Sequence, residues 1–186
     1  MNAQQLIQEA EDHMAKSLDA AKRELSGVRT GKATTSILDS VRVDYYGTHM
    51  PLKQLANMSA PEPRLLTVQP FDKGAGPAIE KAIRDAGLGL NPSSDGGIIR
   101  VPIPQLTEER RKDLVKVVRS MVEHGRVAVR NVRHHTNDRL KQLEKDGAIT
   151  EDEHKREAKR IQDMTDASIK KLDDLLKTKE ADILEV

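Results

Sequence analysis

Apolar residues recur every three or four positions at both ends of the chain, which is the spacing of one face of a helix. Residues 1–29 show this spacing, and two further periodic segments follow after Thr107, separated by Asp146-Gly147. The last segment begins at Thr150-Glu-Asp-Glu153, which has the spacing of a capping box. Because helices joined by a short loop pack antiparallel, the pattern predicts a three-helix bundle built from both ends of the chain.

The apolar face of the second long helix is expected to be its core face. At helical spacing this face runs through Leu114, Val117, Val118, Met121, Gly125, Ala128, Val132, Leu140 and Leu143.

The pattern changes between Gly31 and Pro104, where strand-like alternation and turn residues replace the helical spacing. Strands are predicted at 41–45, 65–70 and 98–103, a short helix at 76–86, and a turn at Asp95-Gly96-Gly97. The predicted fold is therefore α+β, with a small β/α/β domain (31–104) inserted into a bundle formed by 1–30 and 105–186. The chain crosses between the two at Thr30, Gly31 and Lys32 and at Pro104 and Gln105, and we expect these residues to form a hinge.

The amino-acid composition argues against several kinds of functional site. The 186 residues include no Cys, 33% charged residues and 2% aromatic residues, and the net charge is +1. Without Cys, disulfides and thiolate metal sites are excluded. With so few aromatic residues we expect no exposed aromatic cluster, which argues against a platform that stacks single-stranded bases. No apolar run reaches the roughly 18 residues of a membrane helix, and the N-terminus lacks the features of a signal or transit peptide, so a cytoplasmic location is expected.

Charge is unevenly distributed, and the second long helix is the basic element. Residues 105–149 carry a net charge of +4, whereas residues 150–186 carry −3. At roughly 100° per residue, one arc of about 60° on that helix holds a row of basic side chains. The arc is expected to point away from the core, with Glu123 as its chief neutralising acid. Its members are Lys112, Arg119, Arg126, Arg130 and Arg133.

Arginine predominates in this row, and its planar guanidinium suits phosphate groups, so the row predicts an interface with structured RNA. The alternative is an ordinary solvated helix face, which is the usual location of such charges.

The sequence gives little support to a catalytic or a metal-binding function. His134 and His135 are adjacent and point to different sides of a helix, so they cannot form an i, i+4 metal pair. Asp95-Gly96-Gly97 lacks the Lys-Ser/Thr of a phosphate-binding loop. We expect no catalytic residue, metal or cofactor. Two rivals remain open: a helical adaptor that binds a protein through its acidic last helix, and an enzyme with His49 or His13 as base.

Several blocks of residues resemble the ribosome recycling factor family. They are Val28-Arg-Thr-Gly-Lys-Ala33, Leu52-Lys-Gln-Leu55, Gly76-Pro-Ala-Ile-Glu-Lys-Ala-Ile83, Gly87-Leu-Gly-Leu-Asn-Pro92, Ile103-Pro-Gln-Leu-Thr-Glu-Glu-Arg-Arg-Lys112 and Arg126-Val-Ala-Val-Arg-Asn-Val-Arg133. The similarity extends from about residue 2 to the C-terminus.

The resemblance implies a function and a set of partners. Members of the family are L-shaped monomers with a flexible hinge, which bind large-subunit rRNA near the A and P sites after termination. Elongation factor G then uses GTP to separate the subunits and release mRNA and tRNA. Neither DNA nor membrane is implied as a partner.

By the same resemblance, Arg133 and Arg130 match rRNA-contacting arginines, Arg29 and Gly31 lie in a matching stretch at the hinge, and Arg110 is a further rRNA contact. His134-His135 departs from the family pattern, because many members carry another base and an acid there.

Overall fold

The computed structural model describes residues 2–185, which form four α-helices and six β-strands in two compact units. One unit contains the residues up to Thr30 together with those from Glu108 onward, and the other is Gly31–Thr107. The helices are α1 (Ala3–Ser26), α2 (Gly76–Asp85), α3 (Glu108–Lys145) and α4 (Glu151–Leu184). The strands are β1 (Arg42–Tyr45), β2 (Thr48–Pro51), β3 (Ala56–Glu62), β4 (Leu65–Pro70), β5 (Ser93–Asp95) and β6 (Ile98–Pro102).

Helices α1, α3 and α4 form the first unit, and the predicted three-helix bundle is confirmed. Side-chain caps fix two of the helix starts. Asn2 and Gln5 form a reciprocal capping box at α1, and Thr150 and Glu153 form the predicted one at α4. Helix α1 ends at Ser26, three residues earlier than expected. None of the helices within residues 2–185 combines the length and apolar character that crossing a membrane requires.

The core face of α3 is rotated by roughly 40° from the expected one, which is less than half of a one-residue step. Its buried residues are Leu114, Val118, Val122, Gly125, Val129, Thr136 and Leu140. Val117 was wrongly assigned to the core, since it is 44% exposed, and Val122 and Val129 were missed. The cause is a series of adjacent apolar pairs, such as Met121-Val122 and Ala128-Val129, in which either member satisfies helical spacing.

At Gly125, helix α3 lies close to both other helices of the bundle. A Cβ atom placed there would lie 3.2 Å from Leu172 Cδ2 of α4 and 3.4 Å from Ala21 Cβ of α1. Only a hydrogen atom fits comfortably, because side chains in a close-packed core leave little free volume.

The second unit is built on a four-stranded antiparallel sheet of order β3-β4-β6-β5, beside the two-stranded hairpin β1-β2. Helix α2 buries Ile79 and Ile83 in the core of this unit. The three predicted strands and the short helix are present. Strands β2, β3 and β5 were missed because they are mostly exposed and carry little apolar alternation. Pro61 lies in β3, an edge strand, where a missing N–H is tolerated.

The two segments where the chain passes between units have no helix or strand structure. Gly31 has φ +80°, a conformation that favours glycine, and a Cβ there would lie 3.2 Å from Leu106 Cδ1. The first crossing therefore has two independent reasons to require glycine. The residues expected to form the hinge all lie in these irregular segments: Thr30, Gly31, Lys32, Pro104 and Gln105.

Candidate nucleic-acid interface

Four arginines on one side of α3 form a row, which we call the arginine row: Arg119, Arg126, Arg130 and Arg133. At roughly 100° per residue, the row lies about 90° from the centre of the buried face of α3. The expectation that it points away from the core was therefore wrong. The buried face is centred on Val118, Val122 and Val129, so the row flanks the core and adjoins α4.

Carboxylates of α4 pair with the first half of the arginine row. Arg119 Nε donates to Glu180 Oε1, and Arg126 donates to Asp173 Oδ1 through Nε (2.9 Å) and through Nη2. The Arg126 side chain is only 22% exposed. The expectation that few acids besides Glu123 neutralise the row was wrong, because it considered the acids of α3 alone.

Glu123 joins two members of the row on α3 itself. Its carboxylate accepts hydrogen bonds from Arg126 Nη1 at 2.9 Å and from Arg130 Nη1 at 3.1 Å. These bonds lower the pKa of Glu123 below its ordinary value, the bond from Arg126 having the larger effect. Reciprocally, hydrogen bonds to Glu123 and then to Asp173 raise the pKa of Arg126. Arg126 therefore shares its charge with two carboxylates.

Arg133 differs from the first half of the row because its partner is neutral. Its Nη1 donates to the amide oxygen of Gln162 at 3.0 Å, and Gln162 Nε2 donates to Asp166 at 2.8 Å. The amide thus stands between the guanidinium and the carboxylate. An amide satisfies a donor without cancelling its charge, so Arg133 keeps a full positive charge available to an anion.

Two further predicted contacts, Arg29 and Arg110, lie apart from the row, whereas Lys112 lies on the same side of α3 as the row. Arg29 is exposed and follows the end of α1, and Arg110 is exposed in the first turn of α3. Arg110 lies roughly 180° around α3 from the row, so the helix does not bring it together with Arg133. Lys112 pairs with Glu108 at 2.9 Å, and both side chains are exposed.

Sequence reasoning missed the residues of α4 that contact the row, although a signal was present. Arg119, Arg126 and Arg133 are spaced seven residues apart, and so are Glu180, Asp173 and Asp166 on the antiparallel helix. Because α3 and α4 run in opposite directions, the first two pairs fix a register that places Asp166 level with Arg133. At this third pair, Gln162 lies between Arg133 and Asp166 and hydrogen-bonds to both.

The histidines form no chemical centre. His134 and His135 are exposed on α3, and His154 contacts Glu144. Within the part of the chain that the structure describes, no group of three or more His, Cys, Asp or Glu side chains is placed to hold a metal ion.

Comparisons with known proteins give a consistent result along the whole chain. A family described as ribosome recycling factor matches residues 21–184. The ribosome-recycling factor of Carboxydothermus hydrogenoformans is 54% identical over 98% of this chain and 99% of its own length. That of Bacillus mycoides is 53% identical, with the same two coverages.

Solved structures give the same picture. A solution structure of a ribosome recycling factor aligns with a TM-score of 0.76 at 41% identity, and the alignment covers 100% of this chain and 99% of that one. A second match, with a TM-score of 0.67 and 50% identity, covers 99% of this chain and 100% of that one. It comes from models for the T. thermophilus ribosome recycling factor and the E. coli elongation factor G bound to the E. coli post-termination complex.

Proposed function

The chain belongs to the ribosome recycling factor family, and from this premise we propose that it docks on the large ribosomal subunit through the arginine row of α3. The target is rRNA near the A and P sites, bound after termination. The observation that carries the proposal is the neutral partner of Arg133, because it leaves a fixed guanidinium available to a phosphate.

Phosphate binding has a different cost at each position of the row. Arg133 exchanges a neutral amide for a phosphate, and the negative charge of the phosphate attracts the guanidinium more strongly than the amide dipole does. Arg119 and Arg126 would have to give up carboxylates, so each gains less. Arg130 pairs with Glu123 alone and is intermediate. Arg133 is therefore the main phosphate contact, and Arg130 is a weaker one. Arg126 and Arg119 mainly contribute to the electrostatic potential around the row.

Folded RNA offers a backbone of defined shape, and a rigid helix with fixed guanidinium groups is suited to it. Arg29 and Arg110 would meet rRNA outside the row, which is consistent with their exposure. The small unit would reorient about Thr30, Gly31 and Lys32 and about Pro104 and Gln105 while the bundle stays bound. The irregular conformation of both segments supports this role for them.

Elongation factor G is the second partner, as it is in the complex with the T. thermophilus relative. Its GTP hydrolysis drives separation of the subunits, with release of mRNA and tRNA. The chain itself is not an enzyme, and the alternative with His49 or His13 as a catalytic base is wrong. A translation factor of this kind works in the cytoplasm, which is our proposal for its location.

The test compares wild type with Arg133→Ala in binding to purified large subunits, measured by sedimentation at two salt concentrations. Hydrogen bonds to charged groups contribute about 1.5–3 kcal/mol, so the variant should bind on the order of tenfold more weakly or worse. The slope of log affinity against log salt should fall by about one, because one phosphate contact is lost.

Arg139→Ala is the matched control. Arg139 is an arginine on the same helix, but it lies on the other flank and pairs with Glu9 of α1 at 3.1 Å. Its loss should leave subunit binding within about twofold and the salt slope unchanged. If Arg133→Ala and Arg139→Ala bind equally, the row is a solvated helix face and the proposal fails.

A further inference from the structure

All three aromatic residues of the chain lie in two segments of the small unit that touch each other. Tyr45 and Tyr46 are in edge-to-face contact, with ring centroids 4.5 Å apart. The Tyr45 hydroxyl donates to Asp72 Oδ2 at 2.8 Å and so joins the β1-β2 hairpin to the segment that carries Phe71. We call Tyr45, Tyr46 and Phe71 the aromatic patch. Tyr46 is 85% exposed and Phe71 is 70% exposed, so the expectation of no exposed aromatic cluster was wrong.

Tyr46 occupies a backbone conformation that an aromatic residue rarely adopts. It has φ +48° and is followed by Gly47 with φ +80°, and the two form the two-residue turn of the β1-β2 hairpin. The equivalent turn between β5 and β6 is Gly96-Gly97, with φ values of +61° and +88°. Turns with two positive φ values favour Asn or Gly at the first position. Backbone strain of this kind in a bulky residue is concentrated at functional sites.

Packing does not account for the two exposed rings. The fully buried side chains of the small unit are aliphatic, and neither Tyr46 nor Phe71 is among them. The backbone of Phe71 is nonetheless fixed, because its N–H donates to the Leu55 carbonyl at 2.9 Å. Two large apolar side chains are thus held in solvent on an ordered backbone. Large rings exposed on two segments that touch each other are a feature of binding surfaces.

The polar groups bonded within the patch and its turn are carboxylates. Asp72 accepts hydrogen bonds from the Gly74 N–H and from Tyr45, and these lower its pKa, the Gly74 bond having the larger effect. Asp44 accepts from the Gly47 N–H at 3.1 Å in the Tyr46 turn. One base, Lys73, follows Asp72 in the chain, but the group that contacts the rings is an anion. A phosphate backbone would be repelled by it, whereas a cationic side chain would be attracted to it.

We propose that the aromatic patch is a docking surface for a basic segment of a protein partner within the post-termination complex. Arginine or lysine side chains of the partner lie on the exposed faces of Tyr46 and of Phe71, where cation–π attraction acts, and are attracted to the Asp72 carboxylate. The proposal rests on the proposed function, because that function places the chain in this complex. Docking on the large subunit does not involve the patch.

The first experiment measures subunit separation with elongation factor G and GTP on purified post-termination complexes. The double variant Tyr46→Asn with Phe71→Ser removes both exposed rings. It should bind large subunits as wild type does and lose at least tenfold in the rate of separation, as expected for aromatic anchors of an interface. Ile98→Ser is the control, since Ile98 is an apolar residue of the same unit that is 38% exposed, and it should leave the rate unchanged.

Thermal unfolding separates a binding role from a structural one. Asn tolerates positive φ better than Tyr, so Tyr46→Asn alone should unfold at an equal or higher temperature while separation slows. If the unfolding temperature falls clearly, the ring stabilises the fold and the proposal fails. It also fails if the double variant separates subunits as fast as wild type. If wild type itself neither binds nor separates subunits, it is the proposed function that fails.

A last pair of experiments tests whether the aromatic patch binds a basic protein segment or RNA. Asp72→Asn keeps an oxygen that can accept from the Gly74 N–H but removes the charge. A basic protein segment predicts that separation slows several-fold, whereas RNA predicts an unchanged or faster reaction, which would overturn the proposal. A photo-crosslinking phenylalanine analogue in place of Phe71 should attach to an arginine- or lysine-containing peptide, and attachment to rRNA alone would contradict the proposal.

Discussion

The arginine row of α3 is held differently at its two ends. Towards the start of the helix, Arg119 and Arg126 are paired with carboxylates of α4, and Arg126 shares Glu123 as well. Towards the other end, Arg133 donates to the amide oxygen of Gln162, and no carboxylate within residues 2–185 forms an ion pair with it. The positive charge of the row is therefore partly neutralised at the Arg119 end and available to an anion at the Arg133 end.

The difference shows that a row of like charges is not a uniform binding surface. One member of each pair with α4 is at least half exposed, and ion pairs at the surface typically add 0–1 kcal/mol, so these carboxylates contribute little to holding the bundle together. Their larger effect is on the charge that an approaching RNA meets. A single amide in place of a carboxylate determines which arginine contributes most to RNA binding. Exchanging the amide partner of Arg133 and the carboxylate partner of Arg126 tests this.

The largest effect in such an exchange is expected from Gln162→Glu. It places a carboxylate beside Arg133 and converts the available end of the row into a neutralised one. Affinity for the large subunit should fall several-fold although every arginine is retained, because Arg133 must then leave an ion pair to reach a phosphate. Sedimentation of subunit complexes measures this, and unchanged binding would mean that the partner of Arg133 is irrelevant.

The reverse change, Asp173→Asn, is expected to have a smaller effect of opposite sign. It removes a carboxylate from Arg126 while keeping a hydrogen-bond acceptor, so the paired end becomes more positive. Affinity for the large subunit should rise about two- to threefold at low salt, and the gain should shrink at high salt as screening increases. A loss of affinity would show that the Arg126–Asp173 pair orients the row for binding.

Arg119→Ala is expected to change binding less than twofold. This arginine lies at the paired end, its side chain is 63% exposed, and a hydrogen bond to Glu180 is the main cause that raises its pKa. The same sedimentation assay applies, with Arg133→Ala as the reference. If the two variants lose affinity equally, the comparison between the ends of the row is wrong.

The smallest effect concerns pH and Glu123. Its pKa in the folded protein lies below the ordinary value of 4.5, so its pairs with Arg126 and Arg130 contribute fully above about pH 4.5. The contribution is lost as the pH falls through the lowered pKa. The difference in unfolding temperature between wild type and Glu123→Gln should therefore be constant from pH 7 to about 5 and disappear in stronger acid. A difference that disappears above pH 5 would contradict this assignment.

Much of the fold could be predicted from local sequence patterns. Helical spacing, the capping box at Thr150 and the Asp95-Gly96-Gly97 turn identify the bundle and part of the small unit, and the family resemblance is confirmed over nearly the whole chain. The buried face of α3 was misassigned because adjacent apolar pairs satisfy helical spacing in two ways. Tertiary packing against α1 and α4 chooses between them.

The candidate site was only half predictable, because its other half comes from residues distant in sequence. The arginines were evident on one helix, but their partners Glu180, Asp173 and Gln162 lie on another and meet them only at a particular antiparallel register. The aromatic patch was missed for the same reason. The contact between Tyr45 and Asp72 joins positions 27 residues apart, which no local pattern records.

Gly125 gives the bundle a mechanical property. Where α3 crosses Ala21 of α1 and Leu172 of α4, any residue other than glycine would press on both neighbours. If α3 slid along its axis by about one turn, the side chain of Val122 or Val129 would enter this crossing, so axial slippage is opposed near the middle of the bundle. A force applied at one end is then transmitted to the other without loss of alignment, as in a strut.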